Sequence, residues 1–451
     1  RSDKIEVDWD DKDSDVVDSS SEEDERKLGQ TAEAAPKETA EQKRVRVAKE
    51  LLDKIQKGGL GTLAEQHDEN DEAASDASDD AGAAFGATPK LDPVSQQLHQ
   101  NILRSEGRLR KPTADKFDSS KLVHQQCATR AHRLSVTCAA LSDAEDVAFT
   151  GSKDCSIVRW DVETGKRVTT LPGQPATKSV KRSAITGHWD EVLSVALSSD
   201  GRYLASGGRD RFVRVWDTRT NELVDSFKGH RGAVSGVAFQ KGTHRLYSAS
   251  HDRSVRAWDV DEMAYVESLF GHQAELNGID CLYRERAVTC SADRTVRFWK
   301  IPEESQLLLQ GHHTASIDCV RMLDEVHFLS GSQESSLALW HTSKKKPCSL
   351  VRNAHGSTWI TAVAVMPNSD LCASGASDGQ IKFWKADLEG RRLHAPSLGQ
   401  FAIPGFVNAL CIGASGRVVV AGTGQEHRLG RWQRLAGAKN TLHILRLPEE
   451  D

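Results

Sequence analysis

Short runs of alternating apolar and polar residues recur along the chain from about residue 121 onwards. Val213–Trp216 and Val296–Trp299 are typical, because every second side chain is apolar and falls on one face of an extended segment. Turn residues such as Gly, Asp and Ser separate these runs. The pattern predicts an all-β domain made of many short strands.

Tryptophans divide this region into units of similar length. Most of them stand 41 to 48 residues apart, which matches one four-stranded blade of a repeat protein. The only longer interval is the first, and its excess lies at 171–183, a predicted basic surface loop. The repeated positions are Trp160, Trp216, Trp258, Trp299, Trp340, Trp384 and Trp432.

Three further residue types accompany the tryptophan in the first six units. An acid stands six residues before it, a hydroxyl four residues before the acid, and a histidine about 22 residues before the acid. The acids are Asp154, Asp210, Asp252, Asp293, Glu334 and Asp378. The hydroxyls are Thr150, Ser206, Ser248, Thr289, Ser330 and Ser374. The histidines are His132, His188, His230, His272, His312 and His355.

This set resembles the repeat of the WD family, named after the Trp-Asp pair found here at Trp160, Trp216 and Trp258. The resemblance covers about 300 residues and implies a closed β-propeller of seven blades. It also implies a buried hydrogen-bonded tetrad in each blade, with the imidazole bridging the hydroxyl and the indole N–H. For the second to fourth units the tetrads are His188, Ser206, Asp210, Trp216; His230, Ser248, Asp252, Trp258; and His272, Thr289, Asp293, Trp299.

A serine, a histidine and an aspartate in one unit also match the residue types of a hydrolase triad, for example Ser206, His188 and Asp210. A nucleophile needs one exposed constellation with an oxyanion site, whereas this trio repeats from blade to blade. No glycine-rich phosphate loop or metal-ligand spacing accompanies it. We therefore expect a structural role for the trio, no catalysis and no cofactor or metal.

The last unit departs from the repeat. Gly424–Trp432 contains no Asp six residues before the tryptophan, and no Gly-His pair opens the unit. Strand-like runs at 406–411, 418–421 and 441–447 nevertheless predict a seventh blade. Residues 121–127 are a candidate closing strand beside the C-terminal one, and closure would remove the exposed sheet edges.

The N-terminal third has a different character. Residues 1–36 are rich in Asp, Glu and Ser and predict a disordered acidic tail, either simply solvated or a site of phosphorylation or docking. Residues 37–120 predict a helical neck, with amphipathic helices at 38–56 and 92–103. The neck ends in a basic stretch at 104–116, for which an RNA-binding or localisation patch and a solvated linker both remain open. The predicted propeller fills 121–451.

Composition narrows the class of protein. Charged residues make up 27% and hydrophobic residues 38% of 451, and no apolar run approaches the roughly 20 residues needed to span a bilayer, so we expect no membrane association. Nine cysteines without a Cys-x-x-Cys pair indicate free thiols in a reducing compartment. The net charge of −6 averages an acidic tail with a more basic remainder and says little by itself.

Three consecutive units carry an arginine directly after the acid of the tetrad. Equivalent turns of a propeller lie on one face, so Arg211, Arg253 and Arg294, with Arg209, predict a basic arc suited to phosphate oxygens. His251, Arg214, Arg256 and Arg297 accompany the arc. In an equally open interpretation, each arginine pairs with a neighbouring carboxylate.

The layout as a whole resembles one branch of the WD family, the U3 small nucleolar RNA-interacting WD-repeat proteins. The similarity rests on the acidic tail, the neck with Gly107–Leu109 and Ala114–Lys116, the blade motifs Ser206–Asp210 and Ser291–Thr295, and the closing Gly424–Trp432 segment. It implies a nucleolar component of the small-subunit processome that recognises box B/C of U3 RNA. The implied partners are a small kink-turn-binding protein and the other box C/D core proteins.

Within this resemblance, Arg209, Arg211, Arg253 and Arg294 are the candidates for contact with RNA or a partner, and His427, Arg428 and Arg431 form a candidate family-specific surface. Two rival functions remain. The tetrapeptide Trp216–Arg219 fits the WDxR box of substrate receptors in cullin-type ubiquitin ligases, and a generic WD scaffold would bind neither RNA nor a ligase adaptor.

Overall fold

A computed structural model of the chain describes residues 110–127, 131–173, 187–311, 313–395 and 397–447. Their strands form seven antiparallel sheets, which confirms the predicted all-β, seven-bladed propeller. The predicted tail, both predicted helices and nearly all of the predicted basic loop at 171–183 lie outside the described residues. The domain limits at 36/37 and 120/121 therefore stay predictions.

Blades 1 to 5 are up-and-down sheets whose four strands follow one another in sequence. The first strand β1 (Val123–Gln126) belongs to the last blade. Blade 1 contains β2 (Val136–Leu141), β3 (Val147–Ser152), β4 (Ile157–Asp161) and β5 (Arg167–Leu171). Blade 2 contains β6 (Val192–Leu197), β7 (Tyr203–Gly208), β8 (Val213–Asp217) and β9 (Leu223–Phe227). Blade 3 contains β10 (Val234–Phe239), β11 (Arg245–Ser250), β12 (Ser254–Asp259) and β13 (Ala264–Phe270).

The remaining blades vary more at their outer strands. Blade 4 contains β14 (Leu276–Cys281), β15 (Arg286–Ser291), β16 (Thr295–Lys300) and β17 (Ser305–Gln310). Blade 5 contains β18 (Ile317–Met322), β19 (His327–Ser332), β20 (Leu337–His341) and β21 (Ser349–Val351). Blade 6 contains β22 (Ile360–Val365), β23 (Leu371–Ala376), β24 (Gln380–Asp387), β25 (Arg392–Leu393) and β26 (Gly399–Ala402), the last two both paired with β24. Blade 7 contains β27 (Phe406–Ile412), β28 (Val418–Gly424) and β29 (Thr441–Arg446), completed by β1.

The core lies between neighbouring blades, because their second and third strands are buried on both faces. Each apolar cluster therefore joins two blades: Phe239 and Trp258 of blade 3, for example, pack with Val213 of blade 2. Glycine permits close approach between blades. A Cβ atom on Gly207 would lie 2.6 Å from a methyl group of Val234 in the next blade.

Ring closure joins two distant parts of the chain. β1 pairs antiparallel with β29, from Val123 opposite Arg446 to Gln126 opposite His443, and is the outermost strand of blade 7. This confirms the closing strand predicted at 121–127. All seven blades thus have at least four strands.

Residues 110–122, which we call the strap, precede β1 and lie on blade 6. The backbone N–H groups of Thr113 and Ala114 donate to Asp370 Oδ1 at 2.8 and 3.0 Å. Phe117 is 8% exposed and packs against Phe383, with ring centroids 4.5 Å apart and the rings tilted by 44°. The end of the predicted neck therefore packs on the propeller.

The described residues contain no α-helix, only single 3₁₀ turns at Ala114–Lys116 and Ser119–Lys121. None of the helices in that part of the chain is long and apolar enough to cross a membrane.

Candidate functional site

The predicted tetrads of blades 2, 3 and 4 come together inside their blades. His188 Nδ1 lies 2.9 Å from Asp210, and its Nε2 lies 2.7 Å from Ser206 Oγ, which accepts the N–H of Trp216 at 2.8 Å. Blade 3 repeats these contacts at 2.9, 2.8 and 2.8 Å with His230, Ser248, Asp252 and Trp258. Blade 4 repeats them at 2.9, 2.8 and 2.8 Å with His272, Thr289, Asp293 and Trp299.

One detail of the implied network is wrong. The hydroxyl, and not the imidazole, bridges to the indole: Ser206 Oγ contacts both rings, while His188 links the hydroxyl to the carboxylate. The reason is capacity, since a hydroxyl has two acceptor lone pairs and one proton, whereas each imidazole nitrogen makes a single bond.

Blades 1, 5 and 6 keep the hydroxyl and the tryptophan but loosen the contact with the acid. His132 and His355 lie 3.7 Å from Asp154 and Asp378. In blade 5 the prediction of His312 is wrong: that residue lies outside the described ones, and the imidazole on Ser330 at 3.1 Å belongs to His313. Two adjacent histidines fit the spacing equally well, and packing selects the second.

Blade 7 has no tetrad. Val419 pairs with Leu445 in the register that joins Leu204 to Trp216 in blade 2, so a leucine takes the place of the tryptophan. Trp432, counted as the seventh tryptophan, lies instead between β28 and β29 and is 68% exposed. The prediction of Trp432 as a blade residue is therefore wrong.

The Ser-His-Asp trio of blade 2 is closed to substrates. Ser206 and Asp210 are 0% and 5% exposed, and the serine oxygen is already engaged by two rings. Burial would raise the pKa of Asp210, but the hydrogen bonds and charges of His188 and Arg214 hold that pKa below its ordinary value. Burial lowers the pKa of His188, so the trio is a buried hydrogen-bonded network in which Arg214 balances the charge of Asp210, and not a nucleophile with its base.

Arg214, expected to accompany the basic arc, is buried instead. It is 1% exposed, and its guanidinium lies 2.5 Å from Asp210 and over the ring of Trp189 at 5.2 Å. The alternation of apolar and polar residues placed it correctly on a strand. The same alternation could not predict that Trp189 covers the polar side of this strand.

We call upper the face that carries the turns between the second and third strands of each blade, at 153–156, 209–212, 251–253, 292–294, 333–336 and 377–379, and the longer segment 425–440 of blade 7. The lower face carries the turns between the first and second strands. Arg211, Arg253 and Arg294 occupy the same upper turn position, with φ of 71°, 69° and 66°. The structure brings these three residues to one face.

The three arginines differ from Arg209 in their partners. Arg209 pairs with Glu191 at 3.2 Å, as the alternative interpretation expected. Arg211, Arg253 and Arg294 are exposed, and among the described residues no carboxylate lies within 4.0 Å of their guanidinium groups. They leave an arc of unneutralised positive charge across blades 2 to 4.

Residues Gln425–Asn440, which we call the blade-7 insertion, replace a short turn by sixteen residues with four basic and one acidic side chain. The three residues predicted there as one surface go to three places. His427 is 3% exposed, packs against Trp359 and Trp432 at 5.4 and 5.6 Å, and has a pKa lowered to about 3 by burial, Arg428 and Lys153. Only Arg431, with 63% of its side chain exposed, lies on the surface, beside Glu426 at 3.4 Å.

Arg428 enters the central channel. Its Nη2 donates to the carbonyls of Asp318 and Asn277 at 2.7 and 3.2 Å, on the innermost strands of blades 5 and 4, across the axis from blade 7. A cavity of only about 70 Å³ remains around it. Burial raises the pKa of the neighbouring Asp318 carboxyl, and the charge of Arg428 opposes this shift. A surface role for His427 and Arg428 is therefore wrong.

The described residues offer no group of three or more His, Cys, Asp or Glu side chains that could hold a metal ion. The nine cysteines are free thiols, and burial raises the pKa of Cys138 to about 12. The chemistry that this arrangement supports is binding by exposed guanidinium and aromatic groups of the upper face.

Comparisons with known proteins agree with this architecture. The model of the family "WD domain, G-beta repeat" matches residues 124–161, 178–217, 221–259, 264–300 and 346–385. It passes over most of blade 5, which has the displaced histidine, and strands β27 to β29 of blade 7, which has no tetrad.

Whole-chain relatives are more specific. The chain is 39% identical over 427 residues to U3 small nucleolar RNA-interacting protein 2 of Mus musculus, covering 91% of this chain and 82% of that protein. It is 37% identical over 458 residues to the U3 snoRNP-associated protein-like EMB2271 of Arabidopsis thaliana, covering 96% and 92%. A solved structure titled "Structure of U3-55K" is 42% identical with a TM-score of 0.67, covering 73% of this chain and 99% of that one.

Proposed function

The chain belongs to the family of U3 small nucleolar RNA-interacting WD-repeat proteins, and from this we propose that it is an RNA- and protein-binding component of the U3 small nucleolar ribonucleoprotein. Its role in ribosomal RNA processing is that of a non-enzymatic scaffold in the nucleus. The ring fixes the relative positions of the side chains on the upper face, and that face binds RNA and partner proteins.

At finer detail, we propose that the target is box B/C of U3 RNA, bound together with a small kink-turn-binding protein. The other box C/D core proteins and proteins of the small-subunit processome in the nucleolus complete the set of partners. RNA helices are recognised mainly by shape and backbone, which suits a rigid surface with spaced cations better than a pocket.

The observation that carries the proposed site is the set of unneutralised guanidinium groups on Arg211, Arg253 and Arg294. Arginine presents a planar fork of donors that fits phosphate oxygens, and three equivalent turns space these forks along one face. Arg431 of the blade-7 insertion is also exposed, but it contributes less, because Glu426 lies 3.4 Å from it. Arg209 contributes less for the same reason, because it pairs with Glu191 at 3.2 Å.

The assignment is tested by crosslinking the full chain to RNA in cells and sequencing the bound fragments. We expect fragments concentrated at box B/C of U3 RNA. Fragments spread over other RNAs, with none at box B/C, would overturn the specific target and leave the propeller intact.

The site is tested by replacing Arg211, Arg253 and Arg294 together with glycine. Glycine fits this turn, because Gly379 occupies the same position in blade 6 with φ of 78°. The matched control replaces three exposed arginines of the lower face, Arg202, Arg219 and Arg284, with alanine. We expect only the upper-face variant to lose U3 RNA and to reduce the slope of log affinity against log salt by about 3, one for each phosphate contact. Equal slopes for the two variants would rule out the basic arc.

The ligase alternative gains nothing specific from the structure. In the tetrapeptide Trp216–Arg219, the Thr218 hydroxyl donates to the carbonyl of Gly201 at 2.5 Å, and Asp217 accepts the Arg219 N–H at 2.8 Å. Blade 3 forms a similar local turn at Asp259. Co-purification separates the functions: a ligase adaptor without U3 RNA would favour the receptor, and neither partner would favour a generic scaffold.

A further inference from the structure

The outer strand of blade 4 lacks the protection that the other long outer strands carry. Charged side chains on an edge strand discourage pairing with another chain, and β5, β9 and β13 each contain one, at Arg167, Asp225 and Glu267. β17 contains none in six residues, Ser-Gln-Leu-Leu-Leu-Gln. Among the described outer strands of five residues or more, only β17 has neither a charge nor a proline.

Apolar side chains are exposed on both sides of this strand. Leu307 lies opposite Phe298 and is 38% exposed, while Leu308 lies opposite Arg297 and is 45% exposed. Successive residues of a strand point to opposite faces, so an added strand would meet a leucine on either side.

The backbone edge of β17 is already used at one end. The N–H of Gln310 donates to the carbonyl of Lys345 at 3.2 Å, which shows that this row of N–H groups points away from β16. By the period of two, the N–H groups of Leu308 and Gln306 point the same way. No described segment pairs with them.

A groove with a charge pattern borders the edge. It has a volume of about 290 Å³ and lies between β13 and β17, lined by Glu267, Leu269 and Glu304 among others. Burial, Glu304 and Glu285 raise the pKa of Glu267, so negative charge is crowded here, although Lys300 pairs with Glu303 nearby at 2.7 Å. At the Gln310 end of the edge, the segment that contacts β17 through Lys345 carries the exposed Lys344 and Lys346.

We propose that the free edge of β17 receives an extended segment of a partner protein as the fifth strand of blade 4. The segment would have apolar residues over Leu307 and Leu308, a basic residue beside Glu267 and Glu304, and an acidic residue toward Lys344 and Lys346. Strand addition of this kind combines backbone hydrogen bonds with side-chain contacts on alternate residues. The chain already completes blade 7 in the same manner, with β1 added to β29. This inference does not depend on RNA binding.

The test uses the full chain and a fluorescein-labelled peptide of eight residues, alternating Val and Thr, with Lys at one end and Glu at the other, synthesised in both sequence orders. We expect saturable binding of one order, measured by fluorescence anisotropy. Replacing a central residue of the peptide with Pro should weaken binding by about tenfold, because Pro lacks the N–H.

Matched variants locate the site. L308K should weaken binding by at least about tenfold, and L308T, which keeps the β propensity, should weaken it less. V224K is the control, since Val224 is 44% exposed on the outer strand of blade 2. Equal effects of L308K and V224K, or no saturable binding of either peptide order, would overturn the proposal. The proposal would also be overturned if the wild-type chain had the mass of a dimer and L308K had the mass of a monomer. The strand at this edge would then come from a second copy of the chain.

Discussion

At the scale of the residue, the blades differ in how closely the tetrad carboxylate contacts its histidine. Asp252 accepts hydrogen bonds from His230 and the Arg231 N–H, both at 2.9 Å, and from the Ser254 N–H at 3.0 Å. Asp378 in blade 6 accepts the Gln380 N–H at 2.9 Å, but its own histidine lies 3.7 Å away. The same residue type therefore accepts more hydrogen bonds in blade 3 than in blade 6.

We predict that Asp252→Ala lowers the free energy of unfolding by about 1–3 kcal/mol, because the His230 imidazole and two backbone N–H groups lose their acceptor. Asp378→Ala is the matched control and should cost less, since fewer contacts are removed. Urea unfolding followed by tryptophan fluorescence measures both. Equal losses would mean that the tetrad contact itself contributes little.

A second residue-scale prediction concerns pH and His427. Its pKa of about 3 in the folded chain lies below the ordinary 6.5, so below pH 6.5 the unfolded chain binds a proton that the folded chain does not. Stability is thus fully present above pH 6.5 and is lost as pH falls, by up to about 1.4 kcal/mol per unit. The variant His427→Gln should lose about 2 kcal/mol less than the wild type between pH 7 and pH 5.

His244 supplies the opposite control. Burial would lower its pKa, but hydrogen bonds to Asp200 and Asp261 raise that pKa above the ordinary value. Its contribution is therefore present at low pH and is lost as pH rises, so His244→Gln should make the loss toward pH 5 steeper. Parallel pH profiles for the wild type and His427→Gln would contradict the assignment.

At the scale of the element, the strap and β1 carry the closure of the ring. Phe117 is buried against Phe383 with centroids 4.5 Å apart, in the same apolar cluster as Val407 and Leu445 of blade 7. The contact therefore ties a segment before the first blade to the last two blades.

We predict that Phe117→Ala lowers the free energy of unfolding by about 3 kcal/mol, the usual cost of removing a buried aromatic ring. Lys116→Ala, at an exposed position next to it, should change this free energy by less than about 0.5 kcal/mol. Chemical unfolding of the two variants decides. An unchanged Phe117→Ala would mean that the strap is not docked in solution.

Elements were predictable where the sequence repeats itself. The spacing of His, hydroxyl, acid and Trp determined six blades, and the apolar runs at 406–411, 418–421 and 441–447 determined the seventh. The prediction failed where local spacing is ambiguous. His312 and His313 are neighbours, and Trp432 falls near the expected interval although an insertion carries it out of the blade.

At the scale of the whole molecule, Arg428 connects opposite sides of the ring. It leaves blade 7 and bonds to carbonyls of blades 4 and 5 beside the buried Asp318. No sequence pattern could place it there, because the contact spans 110 residues to Asp318 and depends on the width of the channel. The arc of Arg211, Arg253 and Arg294 was predictable, since it needs only the equivalence of turns.

We predict that Arg428→Met destabilises the ring by about 1–3 kcal/mol at pH 7, because two backbone carbonyls in the channel lose their donor and the Asp318 carboxyl loses a nearby positive charge. Adding Asp318→Asn should restore part of the loss, and the double-mutant cycle gives the coupling between the two side chains. Additive effects in urea unfolding would show that the two groups do not interact.

The pairing of β1 with β29 also delays closure of the ring until the end of synthesis. Gln126 and its partner His443 are separated by about 320 residues, and a ribosome adds about 5–20 residues each second. The nascent chain therefore exists as an open arc for roughly 16 to 64 seconds, with the edge that β1 will occupy not yet made. During that time the early blades are stabilised only by contacts with one another. A factor that covers their exposed strand edges would have to act before translation ends.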